Sequence, residues 1–188
     1  MSAAPATPDP ASPGAPVAAL TAFLLYLVLE RVAELALSRV HTRRLLARGA
    51  VESGRGHYPL LVALHVLWPL ALIAEVVWGG ARPGGPAGGW LALFGVAQLL
   101  RAASIAALGE RWTVRVLAVP GEPPVRSGIY RWLRHPNYLA VGLELVAAPL
   151  MFGAWRTALG ATIANLAALA LRIPAEERAL GMRGPPTM

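Results

Sequence analysis

Residues 60–78 read LLVALHVLWPLALIAEVVW, an apolar run interrupted only by His65, Pro69 and Glu75. A helix needs about 20 such residues to cross the hydrocarbon core of a bilayer, so this stretch reads as a membrane span. Trp68 and Trp78 in it suit packing or the membrane interface. The whole chain agrees, because 56% hydrophobic and 14% charged residues over 188 positions are too apolar for a soluble globule.

Working outward, residues 90–108 form a second run broken only by Arg101, joined to the first by the Gly- and Pro-rich turn 79–89. Upstream, residues 17–37 are long enough to span but carry Glu30, Arg31 and Glu34. Glu30 and Glu34 are one helical turn apart and share a face, which must look into protein or a polar cavity: an ion pair with Arg31 or a later arginine, or a pocket. Downstream, residues 139–155 and 157–171 are separated by Arg156. Both are short for straight spans, and a tight helical hairpin shielded by the earlier helices is the favoured reading. The expected fold is therefore all-α, a polytopic membrane protein of about five transmembrane helices ending in a hairpin.

Residues 109–138 are too polar to span and too punctuated to be one helix, so they are expected to be the functional loop. Residues 112–119 are rich in Val and Trp and read as a short extended segment, and Val119-Pro120-Gly121-Glu122 has Pro and Gly where a type II turn prefers them.

All 17 basic residues are Arg and 10 acids oppose them, a formal charge of +7. Arg39, Arg43, Arg44, Arg48 and Arg55 follow the first span, and Arg111, Arg115, Arg126, Arg131 and Arg134 follow the third. The opposite side holds Arg82 and Arg156, while Arg172, Arg178 and Arg183 lie in the tail. Basic residues accumulate in cytoplasmic loops, so five spans put the amino terminus outside and the carboxyl terminus in the cytoplasm. The charge thus has a topological explanation and does not indicate nucleic acid. With no Cys and four His without metal spacing, neither thiolate chemistry nor a metal site is expected. Residues 1–16, mostly Ala, Pro, Ser and Thr, read as a disordered tail. Nothing basic precedes Arg31, so a cleaved signal is not expected. Residues 17–181 form the expected membrane domain and 182–188 a short tail.

Two polar groups fall on one predicted face: Arg134-His135-Pro136-Asn137-Tyr138 before the fourth span, and Arg172 with Glu176 and Glu177 after the fifth. An antiparallel hairpin would bring them to one membrane level. Pro136 biases His135 toward extended geometry and suits the first turn of a helix, where free amides with Arg134 and His135 can take a carboxylate or phosphate, whether of a cofactor or of lipid. Tyr138 offers a ring face to a sulfonium or adenine, and Glu176 can accept from hydroxyl or amino groups. Glu144 within the fourth span is either a functional carboxylate or a partner of Arg101. Pro174 lies between Arg172 and Glu176, which predicts a kinked chain end rather than a helical salt bridge.

Residues 128–138, Gly-Ile-Tyr-Arg-Trp-Leu-Arg-His-Pro-Asn-Tyr, followed by Arg172 and Glu176-Glu177, resemble the carboxyl-terminal signature of isoprenylcysteine carboxyl methyltransferases. Residues 30–35, 47–68 and 112–121 are similar to the bacterial subgroup associated with type III polyketide synthases, some of which methylate alkylpyrones. The resemblance implies about five membrane helices, an S-adenosylmethionine cavity open to the cytoplasm and a lipophilic acceptor entering from the lipid. By position, cofactor contacts fall on Val125, Tyr130, His135, Pro136, Asn137, Tyr138 and Glu176, with Glu177 beside them. The substrate-facing arginine falls on Arg172, with Glu144 as a further substrate contact. The family pattern continues beyond Gly181 into an aromatic and basic tail, where this sequence has only residues 182–188.

Methyl transfer to an already anionic oxygen needs positioning rather than a base, which is the role expected of Arg172. The competing readings are a phospholipid methyltransferase, an NADPH-dependent sterol-type reductase sharing the Arg-His-Pro-Asn-Tyr stretch, and a non-catalytic membrane scaffold. The Ala- and Arg-rich, Lys-free composition reads as bacterial, hence an inner-membrane enzyme.

Overall fold

The computed structural model describes residues 15–83 and 86–182. The tail expected at 1–16 falls outside them except for Ala15 and Pro16, as do residues 183–188. Five helices dominate: α1 Ala15–Ala47, α2 Tyr58–Val77, α3 Ala87–Leu108, α4 Pro136–Met151 and α5 Trp155–Ala179. Three are long and apolar enough to cross a membrane: α2, α3 with its 3-10 extension to Arg111, and α5.

Helix α1 extends ten residues past the expected run, to Ala47, because no Gly or Pro interrupts residues 17–47 and Ala, Leu, Glu and Arg favour helix. The arginines at 39, 43 and 44 therefore decorate its last turns. It stops at Gly49, whose φ of 82° lets Gly49 N and Ala50 N bond back to the Leu46 and Leu45 carbonyls. This pair of bonds caps the otherwise orphaned carbonyls.

The expected extended segment contains strand β2 (Val116–Ala118), which pairs antiparallel with β1 (Val51–Ser53) in the register Val51↔Ala118, Glu52↔Leu117, Ser53↔Val116. The fold is mostly helical, as expected, and this small sheet of two three-residue strands is added to it. Strand β1 is three residues long, too short for its side-chain alternation to register in the sequence. The turn after β2 forms as expected, with Gly121 at φ 83° and Glu122 N on the Val119 carbonyl.

Helix α4 is short because it is enclosed. It packs most extensively on α3 and then on α5, burying Ala140, Val141, Glu144, Leu145, Ala147 and Ala148. Small residues let backbones approach closely, which is how helices associate where lipid is as apolar as leucine. The core continues through Leu64, Trp68, Leu72 and Phe94. Phe23 meets Phe94 edge-on at 5.3 Å and lies 5.4 Å from Phe152, tying α1 to α3 and to the α4–α5 turn.

Helix α5 continues through Pro174 to Ala179, so Pro174 does not end it. Pro174 removes one amide bond, but α5 is anchored on both sides of it. At its start Glu75, near the end of α2, accepts from the amides of Arg156 (3.1 Å) and Thr157 (2.7 Å). A carboxylate there satisfies donors that no helical carbonyl can reach.

Candidate functional site

Pro136 occupies the first turn of α4 and His135 sits just before it at φ −133°, ψ 59°. The beginning of α4 lies against the end of α5, where His135 Nε2 is 3.2 Å from Glu177 Oε1 and the Tyr138 hydroxyl donates to Glu176. Arg172 Nε donates to the Tyr138 hydroxyl oxygen at 2.8 Å, and Arg172 Nη2 to the Val114 carbonyl at 2.8 Å. A relay thus runs from Arg172 through Tyr138 to Glu176. The residues four apart on α5 are linked through a third side chain rather than by a direct salt bridge.

Two cavities meet at this relay. The smaller, about 130 Å³, is roofed by the 109–127 segment and lined by Val125, Tyr130, Asn137, Tyr138, Arg172 and Glu176 among others. The larger, about 330 Å³, lies between α1, α2, α4 and α5, with mostly apolar walls such as Leu61, Val66, Val141 and Leu169. Trp112, Thr113, Asn137, Tyr138 and Arg172 line both and form the wall they share.

Of the expected site residues, Val125, Tyr130, Asn137, Tyr138, Glu176 and Arg172 come together around the smaller cavity. His135, Pro136 and Glu177 do not line it: Pro136 is buried, and His135 and Glu177 bond to each other behind it, with the His135 ring stacked on Tyr138 at 5.4 Å. Arg134 is exposed and lines neither cavity. Glu144 also lines neither. It pairs with Arg101 and, at 2.9 Å, with Arg31, while Arg101 reaches Glu34 at 3.0 Å and Glu30 at 3.6 Å. The Glu30 to Glu34 face thus makes ion pairs that knit α1, α3 and α4 together, while Arg31, Glu34 and Arg101 also line the larger cavity.

Burial and the charge of Glu176 push the Tyr130 hydroxyl up to about 12, so it remains a neutral donor at physiological pH. Asn137 Oδ1 is buried at the shared wall with no hydrogen-bond partner among the described residues. A buried acceptor left unpaired costs about 1–3 kcal/mol, which a ligand donor would recover. Two residues of the larger cavity, His65 and Asn165, were not singled out from sequence as site residues. Asn165 is the lone Asn inside the last apolar run, and a polar residue so placed is itself a signal.

The sequence model of the isoprenylcysteine carboxyl methyltransferase family matches residues 90–182, the part that supplies most of both cavities' shared wall. The chain belongs to this family of membrane methyltransferases. It is 37% identical to the uncharacterized protein YpbQ of Bacillus subtilis over 157 residues, which is 82% of this chain and 92% of that protein. An uncharacterized protein of Haemophilus influenzae is 33% identical over 156 residues, covering 80% of this chain and 88% of the relative. No solved structure matches the chain.

Proposed function

We propose that this protein is an integral membrane S-adenosylmethionine-dependent O-methyltransferase whose smaller cavity holds the cofactor and whose larger cavity holds a lipophilic acceptor with a carboxyl or hydroxyl oxygen. An alkylpyrone is the acceptor that the resemblance favours. The observation that carries this reading is the shared wall: Arg172, Tyr138 and Asn137 border both cavities, as residues between a methyl donor and its acceptor must.

The residues present fit the cofactor. Asn137 Oδ1, buried and unpartnered, and the Glu176 carboxylate can accept from ribose hydroxyls or an amino group. The Tyr138 ring offers its face to a positive sulfur. When bound, S-adenosylmethionine supplies an electrophilic methyl group. Arg172 spends Nε on Tyr138 and Nη2 on Val114, which fixes its plane. Its Nη1 has no partner among the described residues and can hold the acceptor oxygen in line.

Five spans with the amino terminus outside, in a bacterial inner membrane, extend this reading: the arginine-rich ends of α1 and α3 would then share the cytoplasmic side with the smaller cavity. Membrane lipids would surround the apolar outer faces, whose exposed side chains include Leu67, Leu99 and Leu166.

Calorimetric titration of detergent-purified protein with S-adenosylmethionine and, separately, NADPH tests the proposal, with Glu176→Ala and Tyr138→Ala as controls. Saturable binding of S-adenosylmethionine alone, weakened by both substitutions, is the expected result. Binding of NADPH instead would favour a reductase, and binding of neither would sink the enzyme reading.

A further inference from the structure

The larger cavity holds hydrogen-bonding groups that the methyl-transfer reading leaves unused. His65 lines it from α2, with Nδ1 2.8 Å from the Leu61 carbonyl oxygen. A carbonyl only accepts, so Nδ1 bears the proton, and in the neutral ring Nε2 is left as a bare acceptor. Among the described residues Nε2 meets no hydrogen-bond partner. Asn165 faces the same cavity from α5, is 2% exposed, and has a buried Oδ1 without a partner. The cavity's cations are largely committed: Arg31 and both terminal nitrogens of Arg101 to glutamates, with the buried Arg101 Nε lacking a hydrogen bond among the described residues, and two of the three nitrogens of Arg172 to Tyr138 and Val114. With Asn137 Oδ1 at the shared wall, the residues lining this apolar chamber of about 330 Å³ carry three unpaired acceptors against one buried unpaired donor, Arg101 Nε, an excess that asks for a ligand bringing a donor.

We infer that His65, supported by Asn165, is the specificity-determining residue of the larger cavity, ranking lipophiles by whether their head group offers an O–H or N–H donor to Nε2. This rests on the reading of that cavity as the acceptor site. A ligand with a donor pairs the His65 lone pair, whereas the same ligand with its oxygen capped leaves two acceptors desolvated and unpaired. Binding one more tightly than the other is then a property of these two side chains, separable from the relay at the shared wall.

The test uses 4-octylphenol and its methyl ether 4-octylanisole, in which a methyl group replaces the hydroxyl proton, titrated calorimetrically into the detergent-purified chain. The wild type is expected to bind the phenol about tenfold more tightly, the worth of one net hydrogen bond. His65→Phe should erase that preference, Asn165→Leu reduce it, and His65→Gln, which returns an acceptor near the Nε2 position, restore part of it. S-adenosylhomocysteine is titrated into every variant and should bind each as it binds the wild type. In the unsubstituted protein with 15N-labelled histidine, the phenol but not the ether should shift the His65 Nε2 resonance, a readout that survives even if a variant fails to fold. Equal binding of phenol and ether, binding of neither, or a preference that persists in His65→Phe overturns the inference. Loss of S-adenosylhomocysteine binding in the wild type would instead overturn the methyltransferase site, so the two failures are separable.

Discussion

The protein contains two clusters of glutamate and arginine that differ in how densely their charges are paired. In the first, Glu30, Glu34 and Glu144 meet Arg31 and Arg101 across three helices, with the Arg101 and Glu144 side chains only 4% and 3% exposed. In the second, Arg172, Tyr138 and Glu176 are connected in a line, with the Asn137 oxygen orphaned beside them and cavities on either side. The first cluster sets three carboxylates against two guanidiniums, gives every one of these side chains an oppositely charged partner, and joins α1, α3 and α4. The second holds its groups in place without saturating them, which is how a binding site is built.

This contrast can be broken by experiment, most strongly at Arg101. Arg101→Leu would leave three carboxylates sharing Arg31, and a broken buried pair costs about 3–5 kcal/mol, so thermal unfolding in detergent should fall steeply. A near-wild-type midpoint would show that the first cluster is not structural. Glu176→Gln should do the opposite: little change in unfolding, but weaker S-adenosylhomocysteine binding by about 1.5–3 kcal/mol in calorimetry, because bonds to a charged acceptor are the strong ones. If the two variants shift stability and binding alike, the distinction fails.

A smaller effect sharpens it. Glu75→Gln weakens the carboxylate on the α5 amides and should cost about 1 kcal/mol of stability with cofactor binding unchanged. The smallest is at Tyr130. Its hydroxyl is raised from about 10 to about 12, so the folded state holds a proton that the unfolded chain has released between those values. Stability from this group is complete below pH 10 and is lost as pH rises toward 12; Tyr130→Phe should remove that part of the alkaline decline in unfolding midpoint.

The helices that look most alike in sequence turn out to do different work. Residues 60–78 and 139–155 are both apolar runs, yet α2 buries only Leu64, Trp68 and Leu72 while α4 is enclosed. Apolarity reports that a residue avoids water, and lipid and protein satisfy that equally. The Ala-rich face of α4 was the one visible sign of close helix packing. Of the residues around the smaller cavity, Asn137, Tyr138, Arg172 and Glu176 were legible because they fall in two short stretches that a hairpin can join, whereas Val125 and Tyr130 came from the family resemblance. His65 was not, because one histidine in an apolar helix has no local mark to separate a cavity residue from a core one.

The sequence by itself determined the apolar helical runs, the turn at Gly121 and the two polar stretches 134–138 and 172–177, since run length, backbone preference and short spacing are local quantities written in neighbouring residues. Only the tertiary structure decided that β1 pairs with β2, that Glu75 caps α5, that Glu144 belongs to Arg101 and Arg31, and that His65 faces Asn165's cavity. Each joins groups dozens of residues apart, and which distant partner a polar side chain finds depends on how the helices pack, a choice that no local pattern encodes.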